Sequence, residues 1–257
     1  MKIQNLIASL ALFCCFSSNA ADLDRASVQS LLATATSAQP ANLRRKDLTD
    51  LDLSGLDFSH ADLWGSDLRR TNLSKSNLSG LNLDLTVMTK INLSEANLSN
   101  TSIFGVSMIG ANLSKANLTH SRIIANLDRA NLNHANLNAA DWGVDMKNQP
   151  MGLMRVSLNN VDLSGADLTD ANLNRALLRH ANLTGSVLRN TILFGSDLSG
   201  ADFTNADLTG ADLSGCNLTD VDFTGSNLAR TRFSGVKDKA LLKGLETSKN
   251  LDSAIFD

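Results

Sequence analysis

A five-residue period runs through most of the chain and constrains its fold more than any other feature. From Ala41 the sequence divides into the units ANLRR, KDLTD, LDLSG, LDFSH, ADLWG and SDLRR, and the third position of each is Leu or Phe. We number that third position i, so that a unit runs from i−2 to i+2. A unit this short cannot bury an apolar side chain alone, so the period predicts that the units stack on one another.

Polarity alternates within each unit. Position i is Leu, Phe, Ile or Met, position i−2 is mostly small or apolar, and Asn or Asp usually fills i−1. Residues two apart on an extended chain point to the same side, so i and i−2 should face an interior while i−1 and i+1 face solvent. Gly and Asn recur at i+2. Both tolerate turn conformations, which predicts a corner at that position.

The A(D/N)LXX pattern resembles the pentapeptide-repeat family over residues 41–235. The resemblance implies an all-β solenoid, a right-handed quadrilateral parallel β-helix with four units per coil and short helical caps at both ends. Unit centres run from Leu43 to Ile123, continue through Trp142 and Met146, and run again from Leu153 to Phe233. This count predicts about ten coils.

The period is irregular over residues 121–152. The units SRII (121–124) and ADWG (140–143) are each one residue short, and their starts are 19 residues apart. We therefore expect them on the same side of the solenoid, one coil apart. Gln149-Pro150 restores the two missing residues, after which the phase resumes. We interpret the stretch as a local bend or bulge within one domain.

The first residues are typical of a secretory signal peptide, here residues 1–20. Lys2 precedes an apolar run from Leu6 to Phe16, and small residues precede Ala21. This run is too short to span a bilayer as a stable helix. We expect cleavage after Ala20, with Ala21 as second choice, and export to the periplasm or the medium. A thylakoid lumen would use a similar signal. No transmembrane segment is expected in the mature chain.

Both ends of a solenoid expose unpaired strand edges and need covering. Residues 21–40 are predicted to form an N-terminal capping helix carrying Val28, Leu31 and Leu32. Residues 236–257 are predicted to form a C-terminal cap, with a short helix over 238–245 and an apolar tail. In some members of the family that the chain resembles, this end also forms a dimer, so a homodimer through the C-terminal cap stays open beside a simple cap.

No residue pattern indicates catalysis or a metal. The four histidines all occupy outward i+2 positions: His60, His120, His134 and His180. Spacings of 60 residues predict the first, second and fourth on one side, about 14 Å apart, whereas zinc ligands must lie about 2 Å from one ion. Cys216 at i−2 should point inward as a small apolar residue. We expect no catalytic, cofactor or metal site, and no enzyme.

Charge is mild, with a formal net charge of −3, and predicts no nucleic-acid partner. An acidic stretch comprises Asp197, Asp202, Asp207, Asp212, Asp220 and Asp222, and a basic cluster comprises Arg44, Arg45, Lys46, Arg69 and Arg70. Successive units turn a corner, so the carboxylates should spread around the rod, with only Asp202 and Asp222 stacked. The family resemblance also allows a DNA mimic that binds a topoisomerase such as gyrase, and β-helices as a class allow a carbohydrate-active enzyme.

Apolar residues at outward positions are the remaining anomaly. Trp64 and Phe104 both sit at i+1, eight units apart, which predicts the same side two coils apart. Ile124 should lie one coil further along that side, and Ile109 on the adjoining side. A second outward group comprises Leu177, Val187, Ile192 and Phe194. Either these residues are incidental, or Trp64, Phe104, Ile109 and Ile124 form an interaction surface. The sequence thus favours a non-catalytic, exported interaction or scaffold protein with an unknown protein or envelope partner.

Overall fold

The computed structural model describes residues 22–144, 154–236 and 242–256. They form a right-handed, four-sided parallel β-helix, as predicted. Through most of the rod, each residue at i−1 pairs with the residue 20 positions further on, as in Asp47–Asp67 and Asp67–Val87. Most of these pairs are single bridges. Strands of two or more residues are β1 (Ala41–Asn42), β2 (Ala61–Asp62), β3 (Ser102–Ser107) and β4 (Arg122–Asn126). Strand β1 pairs with β2, and β3 with β4, both parallel.

We call the four sides A, B, C and D in chain order, so that position i−1 of the first coil is Asn42, Asp47, Asp52 and Asp57. The corner that follows side A is the A/B corner, and the others are named in the same way. The bridges arrange residues 41–144 and 154–236 in nine complete coils and the first side of a tenth.

The interior is the one that the alternation predicts. The central side chains of the first coil, Leu43, Leu48, Leu53 and Phe58, are fully buried. Position i−2 carries buried Ala, Ser or Thr. Buried hydroxyls there donate to backbone carbonyls, as Thr71 Oγ1 does to the Leu48 oxygen at 2.8 Å. This hydrogen bond removes the cost of an unpaired polar group in the core.

The recurrent Asn and Asp at i−1 have a structural role. The side-chain oxygen of Asn92 accepts from the backbone N–H of Ser94 at 3.2 Å, and its Nδ2 donates to Asn72 Oδ1 at 2.9 Å. Asn112 Nδ2 continues the ladder to Asn92 Oδ1. One residue type thus satisfies its own strand and ties consecutive coils together.

Position i+2 forms the predicted corner. Asp50, Lys75 and His120 have φ values of 60°, 60° and 56°, and Gly55 has 71°. These values lie in the left-handed region that glycine and asparagine enter most easily. Side chains at i+2 therefore project outward along four corner columns.

The irregular stretch changes the register between coils. The two short units do lie on the same side one coil apart, since Asp141 N donates to the Ser121 oxygen. Asn117 pairs with Asn136, one position short of the regular offset, whereas Asn136 pairs with Asp167, far beyond the regular offset. A short offset is thus followed directly by a long one.

The long offset changes the sides that the later units occupy. Asp141 and Ser157 occupy successive sides of the rod, because their partners one coil further on are Asn172 and Leu177. The repeat count had placed two further units between them, centred on Met146 and Leu153, and both centres lie outside the described residues.

One histidine prediction is therefore wrong. His60 and His120 share the D/A corner column, because the coils between them keep the regular spacing. His180 follows Leu177, which is on side B, so it lies on the B/C corner. The short offset, from Asn117 to Asn136, and the long offset, from Asn136 to Asp167, together exceed two regular offsets by the length of two units. This excess moves His180 half a turn around the rod.

The N-terminal cap is helical, as predicted. Helix α1 (Arg25–Ala33) begins after Asp24, whose side chain accepts from Ser27 N. Val28 is fully buried against the first coil, whereas Leu31 of the predicted apolar face is exposed. The Arg25 guanidinium donates to the carbonyl oxygens of Asp52 (2.7 Å) and Ser54 (2.9 Å). These contacts cover the open strand edge of side C.

The C-terminal cap adds further rungs instead of an α-helix. Lys243, Lys249 and Ile255 pair with the last units on sides C, D and A. Two 3₁₀ helices, Leu245–Thr247 and Leu251–Ser253, lie between these rungs. The helix predicted over 238–245 is therefore wrong for 242–244, and residues 238–241 lie outside the described part. The predicted packing of the tail is confirmed at Phe256, whose ring stacks on Phe233 at 4.7 Å.

Among the described residues, no helix has both the length and the apolar character needed to cross a bilayer.

Candidate functional site

The four-residue unit 121–124 leaves the A/B corner one residue short. On the coil below, Gly105 (φ 69°) occupies the i+2 position of this corner. Ile124, at i+1, is followed directly by Ala125, which already belongs to the interior of side B. A pocket of about 450 Å³ opens at this point, which we call the notch. Its lining comprises Gly105, Val106, Ser107, Ile124, Ala125, Asn126, Met154, Arg155, Ser157 and Leu177.

Exposed apolar side chains concentrate around the notch. Half of the exposed large apolar residues in the described part of the chain lie in this region, either on sides A and B of coils three and four or beside the notch. They are Leu85 (55% exposed), Val87 (38%), Phe104 (37%) and Met154 (37%). Leu85 and Gly105 occupy the A/B corner on consecutive coils. Met154 Cε lies 3.8 Å from the position that a Cβ on Gly105 would take. We call these four residues and the notch the corner patch. A rimmed apolar cluster of this kind is typical of a contact surface.

Two of the four residues predicted as an interaction surface belong to the corner patch, and a third lies on the same coil as Phe104. Phe104 is exposed on the rim. Ile109 is half-buried on side B of the same coil, the adjoining side, as expected. Ile124 does pair with Phe104 on side A. It is only 3% exposed and lines the notch, so its predicted outward position is wrong.

Trp64 is separate from the corner patch. It lies on side A two coils before Phe104, since Asp62, Asn82 and Ser102 follow one another on that side. The guanidinium of Arg44 lies 4.5 Å from the centre of its ring, and that of Arg45 lies 5.2 Å away. These distances are typical of cation–π contacts. Trp64 therefore already has partners within its own chain.

The sequence did not predict any connection between the second apolar group (Leu177, Val187, Ile192 and Phe194) and the first. Ile192 and Phe194 are exposed, and the pairing of Asp141 with Asn172 and of Asn172 with Ile192 places them on side A, the side of Phe104. Counting two extra units around Met146 and Leu153 would put them on the opposite side. Leu177 lines the notch from side B, and Val187 is half-buried on side D.

Polar groups line the notch between its apolar ends. Asn126 Oδ1 accepts from Asp128 N at 2.9 Å, but its Nδ2 makes no hydrogen bond to the described residues, unlike that of Asn92. Arg155 is exposed and pairs with no carboxylate in the described part of the chain. In contrast, Arg122 lies 3.6 Å from the Asp141 carboxylate. The notch thus offers an amide donor and a cation that have no partner among the described residues.

The acidic stretch does not form a converging site. Asp202 and Asp222 stack as predicted, while Asp197 and Asp207 pair with Arg179 and Arg189 on other sides. Burial raises the pKa of Asp207, but hydrogen bonds from Thr209 and Arg189 outweigh it and hold the pKa below its usual range. The carboxylates of this stretch therefore spread over all four sides and do not converge on one site.

The basic cluster is likewise largely paired within the rod. Arg44 contacts Asp62 at 2.9 Å, and Arg69 and Arg70 pair with Asp67 and Asp50. These pairs favour a solvated, charge-compensated face over an anion-binding patch.

Cys216 and the histidines behave as structural residues. Burial raises the pKa of the half-buried Cys216 thiol to about 12, and its Sγ donates to the Leu193 oxygen at 3.0 Å. A thiol with this pKa is a poor nucleophile at neutral pH. Within the described ranges, no group of His, Cys, Asp or Glu is arranged to hold a metal ion.

The sequence profile of the family described as "Pentapeptide repeats" matches residues 52–89, 87–119, 157–195, 171–210 and 196–235. The matches omit residues 120–156, the stretch that contains both short units and half of the residues that line the notch. No curated protein matches the chain.

Several solved structures are similar. One is HetL, a pentapeptide repeat protein involved in heterocyst differentiation regulation from the cyanobacterium Nostoc sp. strain PCC 7120 (30% identity, 91% of this chain and 94% of HetL covered, TM-score 0.29). Another is QnrB1, a plasmid-mediated fluoroquinolone resistance protein (19%, 81% and 91%, 0.45). A third comes from the Arabidopsis thaliana thylakoid lumen (36%, 38% and 63%, 0.31).

Proposed function

The chain belongs to the pentapeptide-repeat family, and on that premise we propose that it is a non-catalytic, exported interaction protein whose corner patch binds a protein partner of the cell envelope. The observation that carries the proposal is the gathering of Leu85, Val87, Phe104 and Met154 around the one corner where the repeat is interrupted. Binding a partner there would remove this apolar surface from water.

The regular sides of the rod differ from the corner patch, and this difference supports the corner patch as the binding site. On side C, the Asn and Asp ladder binds its own strand and the neighbouring coil, as at Asn92, and Ser or Thr fills most of the i+1 column. A face whose polar groups are paired with each other has few groups left for a partner. The contrast favours sides A and B as the binding surface.

Export is part of the proposal and rests on the signal-peptide pattern of residues 1–20. Asp22 already hydrogen-bonds to Asp47 of the first coil, so cleavage after Ala20 would retain every described contact of the rod. Periplasm or medium is the proposed location. Dimerisation through the C-terminal cap stays a prediction.

A DNA-mimic function has less support. A mimic needs a continuous anionic face, whereas Asp197, Asp207 and Asp220 are each paired with a cation. Export would also separate the protein from topoisomerases. Finding an intact Met1 in the cytoplasm would make topoisomerase inhibition the first assay.

Location is tested by fractionating the native host and determining the mature N-terminus by mass spectrometry. A chain that begins at Ala21 or Asp22, in the periplasm or the medium, would support export. A full-length chain in the cytoplasm would contradict it.

Binding is tested by placing a photo-crosslinking amino acid at position 104 or, as a control, at the regular side-C position 184. We expect a discrete covalent adduct in intact cells from position 104 and none from position 184. Equal adducts, or none at 104 while the variant is folded and correctly located, would overturn the corner patch as the binding site.

A further inference from the structure

Four features of the corner patch indicate the kind of ligand that it can bind, if it is the binding surface proposed above. We infer that the notch binds an extended peptide segment of a partner protein, in which an apolar side chain enters beside Ile124 and Met154 and a neighbouring carboxylate meets Arg155.

The first observation is shape. Position i−1 of side B carries Val87, Ser107, Asn126, Ser157 and Leu177 on successive coils. Coils spaced about 4.8 Å apart make this column about 19 Å long, which matches about six residues of extended chain. An α-helix is about 10–12 Å wide with its side chains, too broad for a recess made by the loss of one corner residue.

The second observation is the distribution of apolar surface along that column. Val87 and Leu177 stand at its two ends, while smaller polar side chains occupy its middle. Ile124, Ala125 and Met154 also line the notch. One apolar side chain of a peptide can therefore be buried in the notch while others pack against the ends.

The third observation is the free amide donor. Asn92 and Asn112 donate Nδ2 to the coil below. The residue one coil below Asn126 on side B is Ser107, and Asn126 Nδ2, like the Nδ2 groups of Asn131 and Asn136, makes no hydrogen bond to the described residues. Such a donor suits a peptide carbonyl, because extended peptides present carbonyls at regular intervals. Ser107 Oγ has only a 3.4 Å contact, to Thr89.

The fourth observation is charge. Arg155 lines the notch and has no carboxylate partner among the described residues. Two acids of this part of the rod, Asp84 and Asp128, accept hydrogen bonds from donors of the chain itself. Asp84 accepts from Phe104 N, and Asp128 accepts from Ser157 Oγ and Asn159 N. A carboxylate on the partner is the group that complements Arg155 best.

Four fluorescein-labelled octapeptide pools test the inference by fluorescence anisotropy on the full mature chain. The two central positions are fixed as Leu-Glu, Leu-Gln, Leu-Lys or Ser-Glu, and all other positions are mixed. We expect the Leu-Glu pool to bind at least about fivefold more tightly than each of the others, in a salt-dependent manner.

The Arg155→Glu variant should lose the preference for Leu-Glu and favour Leu-Lys instead. Arg230→Glu makes the same charge change on the distant D/A corner and should leave the preference intact. Circular dichroism and thermal unfolding establish that both variants are folded.

Equal binding of all pools, no binding, or a Leu-Glu preference unchanged by Arg155→Glu would overturn the inference. The proposed function fails separately. A crosslinked partner at position 104 without peptide discrimination would leave the interaction surface standing and remove only the peptide assignment.

Discussion

Trp142 Nε1 donates a hydrogen bond to Ser121 Oγ at 3.0 Å, and this bond joins the only two four-residue units among the described repeats. Ser121 begins the first short unit, and Trp142 is the centre of the second, one coil above it. Arg122 adds bonds to the carbonyl oxygens of Asp141 and Gly143, both at 2.7 Å. The two interruptions therefore stabilise each other.

Replacing Trp142 with Leu, the usual central residue, should destabilise the rod here. Trp142 is fully buried, so Leu leaves a cavity and removes the donor to Ser121. We expect a loss of about 2–4 kcal/mol in the free energy of unfolding. Urea denaturation measures it, with Phe203→Leu as the control in a regular coil. An effect of Trp142→Leu no larger than that of the control would show that the short units need no special residue.

Two glycine substitutions should separate backbone strain from steric overlap. Gly55 and Gly200 have φ values of 71° and 68°, but a Cβ on Gly55 meets nothing within 4 Å, whereas one on Gly200 would lie 2.3 Å from His180 Nδ1. Gly55→Ala should cost about 1–2 kcal/mol from the left-handed backbone alone. Gly200→Ala should cost more, because the His180 ring must also move. The double variant Gly200→Ala, His180→Ala should return to the value of Gly55→Ala, as measured by denaturation. A double variant as unstable as Gly200→Ala would contradict this assignment.

Arg25 should protect the first coil. Arg25→Ala removes both hydrogen bonds to the side-C edge, at Asp52 and Ser54. We expect faster amide exchange in residues 41–60 and a loss of about 1–2 kcal/mol. Arg25→Lys can restore only part of this, because an ammonium group lacks the planar fork. Hydrogen exchange followed by mass spectrometry distinguishes the two variants. Unchanged exchange in Arg25→Ala would mean that Val28 alone holds the cap.

The free energy of unfolding of the rod should decrease only at low pH. The hydroxyl and the backbone N–H of Thr224 hold the pKa of Asp222 below its usual range, and the backbone N–H of Ser59 does the same for Asp57. A folded-state pKa below the unfolded value of about 3.9 contributes stability above that pH, which is lost as the pH falls through the folded pKa. Denaturation midpoints should therefore be similar at pH 5 and 7 and decrease at pH 3. Thr224→Val should be less stable at pH 7 and lose less between pH 5 and 3. A midpoint that decreases between pH 7 and 5 would implicate other groups.

The repeat phase was sufficient to predict the interior, the corners and the shared side of Trp64 and Phe104. Each of these depends only on local alternation or on uninterrupted five-residue spacing. At position 124 the repeat phase no longer predicts the direction of the side chain. Ile124 occupies an outward position by phase, but the residue that would form its corner is missing, and the side chain lines the notch instead.

The register across the irregular stretch could not be predicted from the period. Met146 and Leu153 stand in motif-like contexts, and periodicity cannot tell whether such a residue lies on a rung or within an insertion. Hydrogen bonding sets the register of the residues on either side of this stretch, since Asn126 pairs with Ser157. The error of two units explains both the misplaced His180 and the unrecognised alignment of Phe194 with Phe104.

The change of register also has an evolutionary consequence. Outside residues 121–157, gain or loss of one whole coil leaves every side in place, so the rod can change length by duplication or deletion without changing which residues share a face. Between Asp141 and Ser157, gain or loss of a single unit in the stack would instead rotate the distal coils by a quarter turn. The alignment of Phe104 with Phe194 therefore depends on the number of units that enter the stack between Asp141 and Ser157.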